Sequence, residues 1–122
     1  MCVEDIQHRL LSDLREVNMP VDEVDVFFRP YSETYYGRYY PSKDETTTKP
    51  RLFVYPFANR RGDLLPYDTI LSVAIHEMCH HIQYSSGHVR IKGVMHDTEF
   101  WKLNNHYVSR ARKLHLISEV AV

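Results

Sequence analysis

The residues with the clearest chemical potential are five consecutive positions, His76-Glu77-Met78-Cys79-His80, which read H-E-x-x-H. On an α-helix, residues four apart lie about 40° apart around the axis and about 6 Å apart along it, so His76 and His80 can bind one metal ion. Glu77 lies about 60° from His80, where its carboxylate can hydrogen-bond a metal-bound water without binding the metal. The spacing is typical of zinc metalloproteases, in which the glutamate is the general base. The motif therefore predicts a zinc hydrolase.

The residues around this motif predict a helix that lies between a core and a metal site. Four apolar residues recur at intervals of four, three and four, namely Leu71, Ile75, Met78 and Ile82. This pattern is one buried stripe of a helix, and it lies opposite the two histidines. Pro66 before it and Gly87 after it are start and stop signals. We therefore expect a helix from Tyr67 or Asp68 to Ser86.

A third metal ligand must come from another part of the chain, because a catalytic zinc usually has three protein ligands and one open position. His96 is one candidate. It follows a segment with glycines that allow the chain to turn back, and it stands at the start of a second predicted helix. That helix has apolar residues at spacings of three and four, namely Phe100, Leu103, Tyr107, Ala111 and Leu114. Glu99, one helical turn later, is the competing candidate, since carboxylate oxygen also binds zinc.

Residues next to the motif are candidates for supporting roles. Gln83 and Tyr84 project near the predicted metal face, where either could orient a substrate or a metal ligand. His81 lies about 100° from His80, so a place at the surface or beside a ligand is favoured over metal binding. Cys79 lies toward the apolar edge of the helix, and we expect it to be a small buried residue.

The rest of the sequence predicts an α+β fold. An apolar stripe with helical spacing indicates an N-terminal helix from Val3 to Val17. Alternating or aromatic runs then predict strands at Val24–Arg29, Tyr35–Tyr40 and Arg51–Tyr55. The polar segment Ser42–Lys49 separates the last two strands and reads as a solvated hairpin loop. The expected order is one helix, about three strands in an antiparallel or mixed sheet, the motif helix and a C-terminal helix.

The stretch HEMCHH followed by MHDTEFWKL resembles the SprT-like zinc metallopeptidases and the related small metallohydrolases of the WLM type. The resemblance covers roughly residues 22 to 115 and implies one minimal zincin-like domain over residues 1–122. It implies that His76, His80 and His96 bind one zinc ion per chain, which favours His96 over Glu99. It also implies that Glu77 activates a zinc-bound water to hydrolyse peptide bonds. In such a domain, an edge strand commonly holds an extended substrate by backbone pairing.

The sequence departs from this family at two points. SprT-like proteins usually have glycine directly after the third histidine, whereas this chain has Asp97, which can cap the following helix. The DNA-directed members also carry a zinc ribbon or a DNA-binding segment, and this sequence has no cysteine cluster. The departures concern the subfamily and its partners rather than the predicted ligands.

Composition indicates a single domain in a reducing compartment. The chain has 122 residues, of which 43% are hydrophobic, enough for one core without disulfides. Cys2 and Cys79 form no evident disulfide framework, and the sequence has no signal peptide or long apolar run. We therefore expect a cytoplasmic protein without a membrane segment.

The net charge of −1 gives no overall attraction to nucleic acid or to anionic membranes. A nucleic-acid partner would need a local basic patch, so the predicted partner is a protein or peptide substrate, and the oligomeric state is open. Two alternative functions fit the same motif. One is a zinc hydrolase of a nucleic-acid or nucleotide bond. The other is a non-catalytic zinc-binding interaction module, against which Glu77 argues because a structural site needs no base.

Overall fold

The computed structural model describes residues 3–41, 49–87 and 96–118, and these form the predicted α+β fold. The order of helices and strands is the predicted one, with a short 3-10 helix added before the first strand. The elements are α1 Val3–Glu16, the 3-10 helix Val21–Glu23, β1 Asp25–Phe28, β2 Gly37–Tyr40, β3 Arg51–Val54, α2 Tyr67–Ser85 and α3 Thr98–Lys113. Most of the predicted hairpin loop, at 42–48, and most of the predicted turn before His96, at 88–95, lie outside the described residues.

The ends of the helices have local causes. α1 ends at Glu16, one residue before the predicted end, because Asn18 follows in the left-handed conformation with a φ of 65°. α2 begins directly after Pro66, as predicted. α3 begins after Asp97, whose carboxylate accepts a hydrogen bond of 2.9 Å from the backbone N–H of Phe100. The expectation that Asp97 caps this helix is therefore confirmed.

The three strands form one mixed sheet in the order β1-β3-β2. The central strand β3 pairs in parallel with β1 and antiparallel with β2. Leu52 and Val54 of β3 are buried in the core, whereas Phe53 points to the other face and stacks on Phe27. Among the described residues, no strand pairs with the outer side of β2, so β2 is an edge strand.

α2 is the central helix and packs against β2, β3, α1 and α3. It buries more than the single predicted stripe: Leu71, Ile75 and Met78 are fully buried, and so are Ile70 and Ala74. No helix in the described ranges, α2 included, is long and apolar enough to cross a membrane. The side of α2 that carries the predicted metal ligands faces a cleft.

β2 approaches α2 very closely at Gly37. A Cβ atom at this position would lie 2.5 Å from Val73 Cγ1 and 3.0 Å from Glu77 Cγ. Only glycine leaves room for so close an approach of strand to helix. The edge strand therefore lies directly against the turn of α2 that carries Glu77.

Candidate metal centre

The imidazoles of His76, His80 and His96 meet in one cleft. The Nε2 atom of His96 lies 3.1 Å from Nε2 of His76 and 3.2 Å from Nε2 of His80. One ligand atom from each of the three residues lies within 4.8 Å of the other two. Nitrogen ligands around a tetrahedral zinc ion are about 3.3 Å apart, because each is about 2.0–2.1 Å from the metal. The three residues can therefore hold a metal ion.

Two helices bring these ligands together. His76 and His80 lie on successive turns of α2, as their spacing predicts. His96 comes directly before the cap of α3, and α3 packs against α2. The cap at Asp97 thus determines where α3 begins. The packing of α3 on α2 then places His96, directly before the cap, beside the other two histidines.

A buried aromatic ring lies against all three imidazoles. The ring centroid of Phe100, which is 0% exposed, lies 4.5 Å from that of His80, 4.9 Å from that of His76 and 4.8 Å from that of His96. Trp101 lies on the outer side of the site, with its ring 5.6 Å from that of His96. These ring contacts restrict the orientation of each imidazole before any metal binds.

The carboxylate of Glu77 lies beside the histidines, with Oε2 3.9 Å from Nε2 of His76. Burial raises the pKa of Glu77 to about 7, although the Arg38 guanidinium and a hydrogen bond from the backbone N–H of Tyr39 both lower it. The carboxylate thus has a protein donor that fixes its orientation and a position next to the candidate metal ligands.

Electrostatics at the site favour histidine ligands over Cys79. Burial lowers the pKa of His76, and the nearby His96 lowers it further, which favours the neutral form of the ring that binds metals. Burial raises the pKa of the Cys79 thiol to about 12, and the Glu77 carboxylate adds to the shift. Because the thiolate is the form that binds metals, this shift disfavours Cys79 as a ligand. Cys79 is 0% exposed, which confirms the prediction of a buried residue.

Two cavities open onto the site, one on each side of the contact between β2 and α2. The smaller, of about 410 Å³, extends toward Tyr84 near the end of α2. The larger, of about 790 Å³, extends toward the beginning of α2 and the side of α3. Gly37, His76 and Glu77 line both cavities. A chain laid along β2 would therefore pass the histidines with open space in both directions.

The structure separates the two candidates for the third ligand. His96 joins His76 and His80, whereas Glu99 is not part of the cluster. The side chain of Glu99 is 64% exposed, and its carboxylate lies 3.5 Å from Nζ of Lys102. The site is therefore a three-histidine site in this structure.

The predicted supporting residues differ in their outcome. Gln83 and Tyr84 both line the smaller cavity, as expected from their side of the helix. Gln83 is buried and its Oε1 atom has no hydrogen-bond partner within the part of the chain that the structure describes, whereas Tyr84 is half exposed. His81 is not at the surface: it is 3% exposed, and its ring nitrogens lie 2.9 Å from the hydroxyl of Tyr39 and 2.8 Å from the carboxylate of Glu23. The surface alternative for His81 was wrong because β2 covers that side of α2.

Arg38 was interpreted only as a residue of a strand and carried no local signal for the site. Tyr39 was one of several strand tyrosines that could line a substrate cleft, although a half-buried place on the sheet was favoured. Phe100 belongs to the His-x-x-x-Phe pattern of the family resemblance, and its spacing of four from His96 places both side chains on one helical face. The contact of its ring with all three imidazoles was not predicted.

No family model matches the chain, and no curated protein matches it. A functional assignment therefore depends on the residues of the site and on their geometry.

Proposed function

We propose that this protein is a zinc-dependent metallopeptidase that hydrolyses peptide bonds in extended proteins or peptides. The observation that carries the proposal is that three imidazoles and the carboxylate of Glu77 meet at one cleft. A purely structural metal site needs no buried carboxylate beside its ligands, whereas a hydrolase needs a base. The resemblance of the motif to that of SprT-like peptidases supports the same reaction.

Zinc is the metal that fits the ligand set best. Three imidazole nitrogens with a fourth position left to water or substrate are a common catalytic zinc site. Magnesium and calcium prefer oxygen ligands, so this set suits them poorly. Iron, copper and nickel also accept imidazole, so metal analysis is part of the test. The chemistry that zinc supplies when bound is Lewis acidity, which lowers the pKa of a water molecule and polarises a carbonyl group.

Glu77 is the general base of the proposed reaction. Its carboxylate takes a proton from the attacking water and passes that proton to the nitrogen of the leaving amine. The backbone N–H of Tyr39 donates a hydrogen bond to this carboxylate and thereby fixes its orientation. The surrounding protein limits access of bulk water, since the Glu77 side chain is only 12% exposed.

The open side of β2 is the proposed substrate site. The backbone N–H of Tyr55 donates to the carbonyl of Tyr36 at 2.9 Å, so alternate residues from Tyr36 onward face β3. The backbone groups of Gly37 and Tyr39 then point to the open edge, where an extended peptide can pair with them. The N–H of Tyr39 already donates to Glu77, which leaves the carbonyl of Tyr39 and the backbone groups of Gly37 for the peptide.

The test is hydrolysis of unfolded, fluorescently labelled casein by the zinc-loaded protein. In Glu77→Gln we expect turnover to fall by at least about 100-fold, because a positioned base contributes that much or more. The variant should retain about one zinc ion per chain, since Glu77 is not a ligand. Glu99→Gln is the matched control: it removes an exposed carboxylate one turn from His96 and should keep the wild-type turnover.

The same assay has outcomes that contradict the proposal. Equal turnover in Glu77→Gln would remove the base from the mechanism. If the purified protein neither contains zinc nor takes it up, the proposed zinc dependence is wrong. Cleavage of RNA without cleavage of casein would assign the site to the non-peptide alternative.

A further inference from the structure

His81 is the histidine of the HEMCHH run that does not join the metal cluster, and both of its ring nitrogens have protein partners. Nε2 lies 2.8 Å from a carboxylate oxygen of Glu23, and Nδ1 lies 2.9 Å from the hydroxyl of Tyr39. An ionised carboxylate can only accept a hydrogen bond, so Nε2–H donates to Glu23. Nδ1 is then the ring nitrogen that bonds to the Tyr39 hydroxyl: it accepts from the hydroxyl if the ring is neutral and donates to the hydroxyl oxygen if the ring is protonated. The carboxylate of Glu23 thus determines that Nδ1 is the ring nitrogen left to bond to the hydroxyl of Tyr39.

Tyr39 is attached to α2 at two points. Its backbone N–H donates to the carboxylate of Glu77, and its hydroxyl is hydrogen-bonded to Nδ1 of His81 at 2.9 Å. Glu77 and His81 are four residues apart, so they lie on one face of α2 on successive turns. These two attachments to successive turns hold β2 against this face of α2. The close approach at Gly37 prevents the strand from moving inward.

We propose that His81, held by Glu23, positions the carboxylate of Glu77 through Tyr39. The inference rests on the proposed function, in which Glu77 is the general base. His81 is a positioning residue, because its ring nitrogens contact Glu23 and Tyr39 and not the candidate metal ligands. When the bond between His81 and Tyr39 is lost, the backbone N–H of Tyr39 no longer has a fixed place beside Glu77. Displacing a catalytic group by about 1 Å lowers the rate on the order of 100-fold.

The first test measures hydrogen exchange at the backbone amide of residue 39 in the zinc-loaded protein by NMR. Tyr39→Phe removes only the hydroxyl oxygen and retains the ring, so it disturbs folding little. We expect this amide to exchange about tenfold faster in Tyr39→Phe and in His81→Leu, because each loses the second attachment point. Tyr40→Phe is the matched control on the opposite face of the same strand and should leave the exchange unchanged. Unchanged exchange in Tyr39→Phe and His81→Leu would overturn the proposal.

The second test separates positioning from a purely structural role by comparing His81→Asn with His81→Leu. Asparagine keeps a polar group near the former Nδ1 atom and can still bond to Tyr39, whereas leucine suits a buried site better. If His81 positions Glu77, kcat on casein falls about 10- to 100-fold in His81→Leu and less in His81→Asn, with KM and zinc content unchanged. A kcat that instead follows the melting temperature would overturn the proposal.

The two tests also distinguish failure of this inference from failure of the proposed function. If the zinc-loaded wild type hydrolyses no substrate, the proposed function fails, while the exchange of the residue 39 amide still decides whether His81 holds Tyr39 in place. If the wild type is active and the amide exchange is unchanged in the His81 variants, the proposed function stands and the positioning role fails.

Discussion

His80 and His81 are neighbours in the sequence, yet they lie on different sides of α2. His80 faces the cleft, where its Nε2 atom lies 3.2 Å from that of His96. His81 is 3% exposed and lies between the carboxylate of Glu23 and the hydroxyl of Tyr39. A rotation of about 100° around the helix separates the two side chains. The difference shows that the element packed on each side of a helix decides whether a histidine is available to a metal.

The largest expected difference between these two sides is in metal binding. We expect His80→Ala to lose the zinc, because two imidazoles and an open site bind the ion far more weakly than three. His81→Leu should retain about one zinc ion per chain, since His81 contacts other partners. Elemental analysis of both purified variants checks this. Loss of zinc in both variants to the same degree would show that the two sides of α2 are not separate in function.

The next largest effect is expected at the ring that lies against the three imidazoles. Phe100→Ala should lower the free energy of unfolding by about 3–5 kcal/mol, because it leaves a cavity in the core between α2 and α3. The neighbouring Trp101 is 45% exposed, so Trp101→Ala should change the free energy of unfolding by no more than about 0.5 kcal/mol. Urea denaturation of the metal-free protein measures both changes. Similar losses in both variants would contradict the distinct role of Phe100 beneath the site.

A smaller effect is expected where the strand meets the helix. In Gly37→Ala the new Cβ would lie 2.5 Å from Val73 Cγ1, and we expect a loss of about 1–3 kcal/mol from overpacking. Val73→Ala removes the atom that the new Cβ would meet. The double variant should therefore be more stable than the sum of the two single effects predicts. Additive effects in urea denaturation would mean that β2 can move away from α2 at little cost.

The smallest effect is expected at the cap before α3. Asp97→Ala removes the acceptor for the backbone N–H of Phe100 and should cost about 1 kcal/mol of the free energy of unfolding. Asp97→Asn keeps a capping oxygen, so its cost should be only a few tenths of a kcal/mol. Because Asp97 directly follows the metal ligand His96 in the chain, zinc affinity should fall in the same order. Equal stability in the two variants would contradict the cap.

The sequence predicted the parts of the site that depend on local geometry. The helical spacing of His76 and His80 and the helix start after His96 required no knowledge of the sheet. The bonds of His81 to Tyr39 and to Glu23 could not be predicted, because they join residues 42 and 58 positions apart. Which strand covers α2 depends on the strand order, and the strand patterns alone allowed an antiparallel or a mixed sheet. The role of a histidine buried by a distant strand therefore became visible only in the folded chain.

The hydrogen bond from the Tyr39 N–H to Glu77 also bears on how the free protein behaves at high concentration. Exposed strand edges can pair with those of other copies and lead to aggregation, and natural proteins protect them with short strands and inward-pointing charges. β2 is only four residues long, and one of its outward donors is already taken by a charged side chain. Glu77, the residue proposed as the base, thus also disfavours the pairing of two copies through the open edges of their sheets.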